Sequence, residues 1–237
     1  VICSTSLGYW LGAFCALLMW QDNSHMKFPE YLEKWSGLHG GAAPTGLVKI
    51  WLRLAFAMST PLVRLNPNLI TGSALLFMGG AIGWVAGPEP KYLIAALLVL
   101  LVGLIDSFDG IVALRSSRVT SWGAYLDSIV DRFIDVGIGL LFLVLGAPLE
   151  LVLVTVSIAL VHEYMRARAA GVGHHEVGVV TVAEKPTRIA LGVMFLVACA
   201  VRPQDSQQLA DIAVITWLVL GVIGFTHLMR TYRSIIK

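Results

Sequence analysis

The sequence predicts an all-α integral membrane protein with six transmembrane helices, an N-terminal amphipathic juxtamembrane helix and an extra apolar segment before it. Three observations predict this. Hydrophobic residues make up 57% of the 237 residues and charged residues only 14%, against about 25% charged in soluble domains. Apolar runs near the ~20 residues that span a bilayer recur along the chain. Lys and Arg fall almost entirely on one side of those runs. Together these exclude disorder, collagen-like sequence and an ordinary water-soluble enzyme. A net charge of only +2 gives no reason to expect a nucleic-acid partner.

The runs lie at 69–86, 91–112, 124–146, 149–165, 189–201 and 208–229. The connections Gly87–Pro90 and Ala147–Pro148 are short, so the helices that they join are antiparallel neighbours. Val1–Trp20 reads either as a seventh span or as an interfacial segment, since Tyr9, Trp10 and Trp20 suit that depth. It lacks a basic n-region and does not read as a signal peptide. The Gly-rich stretch 21–45 reads as a polar linker. Residues 1–46 are thus set apart from a membrane unit at 47–237. Leu47–Leu65 has apolar residues at helical spacing with Lys49, Arg53 and Arg64, and reads as an amphipathic helix on the membrane surface. Six spans put twelve of the 17 Lys and Arg on one side, and only Lys91 and Arg202 on the other. The first side is therefore cytoplasmic. Cys3, Cys15 and Cys199 lie in apolar segments without ligand spacing and read as small buried hydrophobes.

Ionisable residues inside a span are costly unless they face protein or water. Asp106 and Asp109 are spaced i, i+3, and Asp127 and Asp131 i, i+4, so each pair shares a helix face. The first pair ends one helix and the second opens the next. The short loop 113–122 turns the two faces toward each other. Four such carboxylates need counter-cations. All-oxygen ligands favour Mg²⁺ or Mn²⁺, and a two-ion site suits phosphoryl transfer. Helix-end acids solvated at the interface, or the cation or proton relay of a transporter or channel, are the competing readings. Asp135, one turn deeper, is either a support of that site or a helix-packing residue.

The run Asp106-Ser-Phe-Asp109-Gly110-Ile-Val-Ala113, continuing to Gly123-Ala-Tyr-Leu-Asp127-Ser-Ile-Val-Asp131, resembles the CDP-alcohol phosphotransferase signature DxxDGxxAR…GxxxDxxxD. One position departs: Leu114 stands where the family has Arg, with Arg115 and Arg118 close by. Asn66-Pro67-Asn68 and Thr71 resemble the family's Pro-Asn-x-x-Thr start of its first core helix. The resemblance covers about 47–237. It implies six spans, a juxtamembrane helix, a homodimer and a multi-pass place in the cell membrane. It also implies transfer of a substituted phosphoryl group from a CDP-alcohol, usually CDP-diacylglycerol, to an acceptor hydroxyl with release of CMP. By similarity Asp106, Asp109, Asp127 and Asp131 hold two divalent cations, and Asp131 is also the general base. Asn68, Thr71, Gly110, Ala113 and Gly123 line the nucleotide site, with Arg115 or Arg118 standing in for the missing Arg.

The segment 164–188 carries the acceptor clue. Tyr164-Met-Arg166-Ala-Arg168-Ala and Glu184-Lys185-Pro186-Thr187-Arg188 resemble runs of phosphatidylinositol-phosphate synthases. Arg166, Arg168, Lys185 and Arg188, with Arg230, are then expected to clamp a phosphate on a small polyol. Inositol phosphate is the first expected acceptor. Glycerol 3-phosphate, the acceptor of phosphatidylglycerophosphate synthases, is the second. His162 and Glu163 shape this pocket or make an interhelical hydrogen bond, while His174 and His175 read as solvated loop residues.

Overall fold

The computed structural model describes residues 26–38, 44, 46–173 and 181–236. Val1–Trp20, His174 and His175 lie outside these residues. Every regular element among the described residues is helical: α1 (Phe28–Leu38), α2 (Gly46–Met58), α3 (Pro67–Ala86), α4 (Tyr92–Arg115), α5 (Ser121–Val144), α6 (Leu149–Gly171), α7 (Lys185–Val201) and α8 (Ser206–Ile235).

Each of the six apolar runs forms one helix, α3 to α8. Three are long and apolar enough to cross a membrane: α3, α4, and α8 with its preceding turn, Pro203–Ile235. Helices α5 and α6 carry the charged residues described below, and α7 has only 17 residues.

Two N-terminal expectations need correction. The stretch 47–65 is not one helix, because α2 stops at Met58 and a 3₁₀ turn, Thr60–Leu62, forms around Pro61. Proline lacks the amide proton that a continuing helix would use. A helix, α1, also occupies part of the stretch expected to be a linker. Its apolar residues Phe28, Tyr31, Leu32 and Trp35 follow i, i+3, i+4, i+7 spacing, and Lys34 pairs with Glu30 at 3.4 Å across one turn. Met26 and Tyr31 are buried in the same core as α3 and α4, so α1 belongs to the helical body.

Caps set the helix starts that frame the site. Asn66 caps α3 by accepting from the Asn68 amide at 3.0 Å, with Pro67 in the first turn. Thr120 caps α5 by accepting from the Gly123 amide at 3.0 Å. Between α4 and α5 the chain reverses tightly. The Arg118 amide bonds the Ala113 carbonyl at 2.9 Å, and Ser117 takes a left-handed φ of 53°, a conformation uncommon outside glycine. This turn sets the C-terminus of α4 beside the N-terminus of α5.

Helix α5 lies between α3 and α6, and its glycines permit the approach. A Cβ on Gly137 would lie 2.5 Å from Met78 Cγ of α3. One on Gly139 would lie 2.5 Å from Val156 Cγ2 of α6. Small residues at such crossings let helix backbones pack closely in a membrane. Cys199 is a free, buried thiol, as its apolar surroundings suggested.

Candidate active site

The ends of α4 and α5 bring three of the four expected carboxylates together. Oxygen atoms of Asp106, Asp127 and Asp131 all lie within 4.8 Å of one another. Asp109 stands beside this group. Its Oδ2 accepts from the Thr71 hydroxyl at 2.6 Å, and its Oδ1 from the Gly110 amide at 2.6 Å. Thr71, expected beside the nucleotide, thus also orients one of the acids.

A divalent cation fits this cluster. The donors are all carboxylate oxygens, the chemistry of a hard-ion site. Positive charge is already drawn in: the Lys185 ammonium bonds both Asp106 and Asp131. The next cation, Arg132, is 3.8 Å from Asp131 but is shared with Asp135 at 3.2 Å and Glu163 at 3.8 Å. Four carboxylates facing one dedicated ammonium leave a deficit of positive charge that metal ions would fill.

A cavity of about 410 Å³ opens beside the cluster between α3, α4, α5 and the N-terminal helices. Asp106, Asp109 and Asp127 line it. So do six of the seven residues expected at the nucleotide: Asn68, Thr71, Gly110, Ala113, Arg118 and Gly123. A Cβ placed on Gly110 would meet no atom within 4 Å, so the backbone there stays open to the cavity. Gly123 is tighter, since a Cβ there would sit 3.3 Å from Asn68 Oδ1.

Arg115 is the exception. It is 3% exposed, and its guanidinium donates to Phe56 O, Ser59 Oγ and Thr60 Oγ1, each at 3.2 Å. It also lies over the Phe56 ring, 4.5 Å from the centroid. One residue of rotation on a helix is about 100°, so Arg115 points away from the face that Leu114 presents to the cavity. Arg118, three residues later, reaches that cavity and donates to the Leu65 carbonyl at 3.2 Å.

The expected acceptor residues do not form one open patch. Arg166 bonds Glu184, and Glu184 also accepts from the Thr181 amide at 2.8 Å and its hydroxyl at 3.1 Å. Arg168 and Arg230 are exposed. Arg188 is 1% exposed, deeper than expected, with Nη1 2.5 Å from Asp135 and Nη2 donating to Glu163 at 2.7 Å. Asp135 is therefore a buried ion-pair partner. His162 is buried and shares a 3.1 Å hydrogen bond with Thr181 Oγ1, in the non-helical segment just before α7, so this partner is not on a neighbouring helix.

Sequence reasoning missed Glu184, Arg132, Tyr31 and Trp35. Glu184 was legible as the acid that opens the Glu-Lys-Pro-Thr-Arg run, where only the cations drew notice. Tyr31 and Trp35 were legible in the spacing of α1. No local pattern marks Arg132 as the bridge between Asp135 and Glu163.

A family model, CDP-alcohol phosphatidyltransferase, matches residues 64–226. An archaetidylinositol phosphate synthase of Methanothermobacter thermautotrophicus is 37% identical over 98 residues, covering 40% of this chain and 49% of its own. The one from Pyrococcus horikoshii is 27% identical over 185 residues, covering 73% and 90%. The solved phosphatidylinositol phosphate synthase of Mycobacterium tuberculosis, with CDP-DAG bound, shares the fold at a TM-score of 0.58 and 21% identity, covering 76% of this chain and 93% of its own. A match over most of the helical body, carrying the cluster and its cavity, places this chain in the CDP-alcohol phosphatidyltransferase family, as a membrane-embedded transferase of phospholipid synthesis.

Proposed function

We propose that this enzyme transfers a phosphatidyl group from CDP-diacylglycerol, or a similar CDP-alcohol, to a hydroxyl of inositol phosphate, releasing CMP. The observation that carries the reading is the cluster of Asp106, Asp127 and Asp131 at the mouth of a cavity lined by Asn68, Thr71, Gly110 and Ala113. Relatives named for inositol phosphate products favour that acceptor over glycerol 3-phosphate. Membership of a transferase family leaves the transporter or channel alternative without support.

Asp106, Asp109, Asp127 and Asp131 hold two divalent cations, Mg²⁺ or Mn²⁺. When bound, these neutralise the donor diphosphate and the departing CMP. The acceptor oxygen forms a bond to the phosphorus that carries the lipid, and the bond from that phosphorus to CMP breaks. Asp131 takes the hydroxyl proton, as the last carboxylate of the set. Arg118 pairs with donor phosphate in place of the Arg that Leu114 replaces. Lys185, Arg166, Arg168 and Arg230 attract the acceptor phosphate. Arg188, paired with Asp135 and Glu163, supports the site from behind by fixing α7, which carries Lys185.

All six helices α3 to α8 cross the membrane in this reading. Twelve of 17 Lys and Arg then lie on the cluster's side, which makes it cytoplasmic. Helix α2 lies on the same surface, with Ile50, Leu54 and Met58 exposed toward lipid. Residues 47–237 form the transferase unit, α1 packs onto it, and two copies pair as a homodimer.

The test is a panel of acceptors with one mass-tagged CDP-diacylglycerol and Mg²⁺, reading CMP and lipid product together. Phosphatidylinositol phosphate as the main product is the expected result. CMP release with glycerol 3-phosphate alone would reassign the acceptor, and no CMP with any acceptor would remove the proposal.

A further inference from the structure

The nucleotide cavity has a wall that the signature does not supply. Tyr31 and Trp35 of α1 line it, together with Gly110, Ala113 and Leu114 of α4. Both aromatic residues lie outside the matched residues 64–226, so family membership does not reach them.

The wall is held in place. Tyr31 is 2% exposed and packs on Phe28 and Phe56, with ring centroids 6.1 and 5.3 Å away. Phe56 in turn lies under the guanidinium of Arg115, which also bonds the backbone and hydroxyls of 56–60. Arg115 immediately follows Leu114, so the helix that lacks the cavity Arg uses the next residue to pin α2, and through Phe56 also α1, against itself. Trp35, one turn along α1 from Tyr31, is half-buried.

On the transferase reading above, we infer that Trp35, backed by the buried Tyr31, forms an aromatic wall that takes the cytosine ring of the CDP-alcohol. In the same cavity this chain has the apolar Leu114 in place of a charge. A flat base against the Trp35 face gains stacking area, which every nucleobase can use and which does not depend on salt as phosphate contacts do. Stacking thus offsets part of the nucleotide affinity that the missing Arg would supply.

The test uses the full chain in nanodiscs and CMP as probe, since CMP has the base and one phosphate but no lipid. Trp35→Ala is expected to weaken CMP binding by about tenfold, the loss of roughly one stacking contact. Donor KM should rise in parallel while acceptor KM stays within about twofold, the pattern of lost ground-state donor binding. Trp35→Phe should retain most of the affinity. If Trp35→Ala does not fold, Trp35→Leu keeps much of the volume without a π face and carries the same expectation. Unchanged CMP affinity in a folded Trp35→Ala or Trp35→Leu protein overturns the wall while wild-type turnover leaves the transferase reading standing. A wild-type protein that binds no CMP and turns over no CDP-lipid overturns both.

Discussion

Asp135 on α5 and Arg188 on α7 meet at 2.5 Å in the interior, the carboxylate fully buried and the arginine 1% exposed. One helix turn away, within the cluster, Asp131 meets Lys185. Two ion-pair rungs therefore tie the same two helices. The inner rung is sealed, and the outer one is part of the cluster and carries groups proposed to act on substrate.

Removal of one partner of the inner rung should be costly. A buried pair broken on one side typically loses about 3–5 kcal/mol when the remaining charge is left unpaired; here Arg188 keeps Glu163 after loss of Asp135, so the loss should be smaller. Asp135→Ala should lower the melting temperature in detergent, and Arg188→Met should lower it further, because Asp135 and Glu163 both lose their partner and keep only Arg132. An Asp135→Ala protein as stable as wild type would show that the pair does not hold α5 to α7.

Asp131→Asn separates charge from proton transfer. The amide keeps the shape and one ligand oxygen, so Mn²⁺ binding measured by electron paramagnetic resonance should weaken but persist. Loss of a general base typically removes about 10²–10⁴-fold in rate, and CMP release should fall within that range. Turnover near wild type would exclude Asp131 as the base.

Arg118 and Leu114 are coupled through the cavity. Arg118→Ala should raise donor KM by about tenfold or more, since a hydrogen bond to a charged group is worth about 1.5–3 kcal/mol. Leu114→Arg, which restores the family residue, should lower donor KM and rescue Arg118→Ala. A double variant no better than Arg118→Ala alone would assign the two positions to separate contacts.

Gly139→Ala tests the closeness of α5 and α6. Its new methyl would meet Val156 Cγ2 at 2.5 Å. Overpacking of this kind costs about 1–3 kcal/mol. Thermal unfolding should fall accordingly, with Val156→Ala restoring it, and an unchanged midpoint would mean that the helices separate freely.

The amino-acid sequence by itself determined the helices α3 to α8, because a long apolar run in lipid satisfies its backbone hydrogen bonds most simply within its own helix. It also determined which acids share a face, because helical spacing is local. The signature spacing likewise marked Asp106, Asp127 and Asp131 and most of the cavity residues. Tertiary structure alone decided that Arg115 turns to Phe56 and Ser59 while Arg118 enters the cavity, that Arg188 is sealed against Asp135, and that α1 reaches the cavity beside the carboxylates. Each of these depends on which distant side chain is packed alongside, and a buried arginine goes where acceptors from other helices meet it, which no periodicity within one segment can specify.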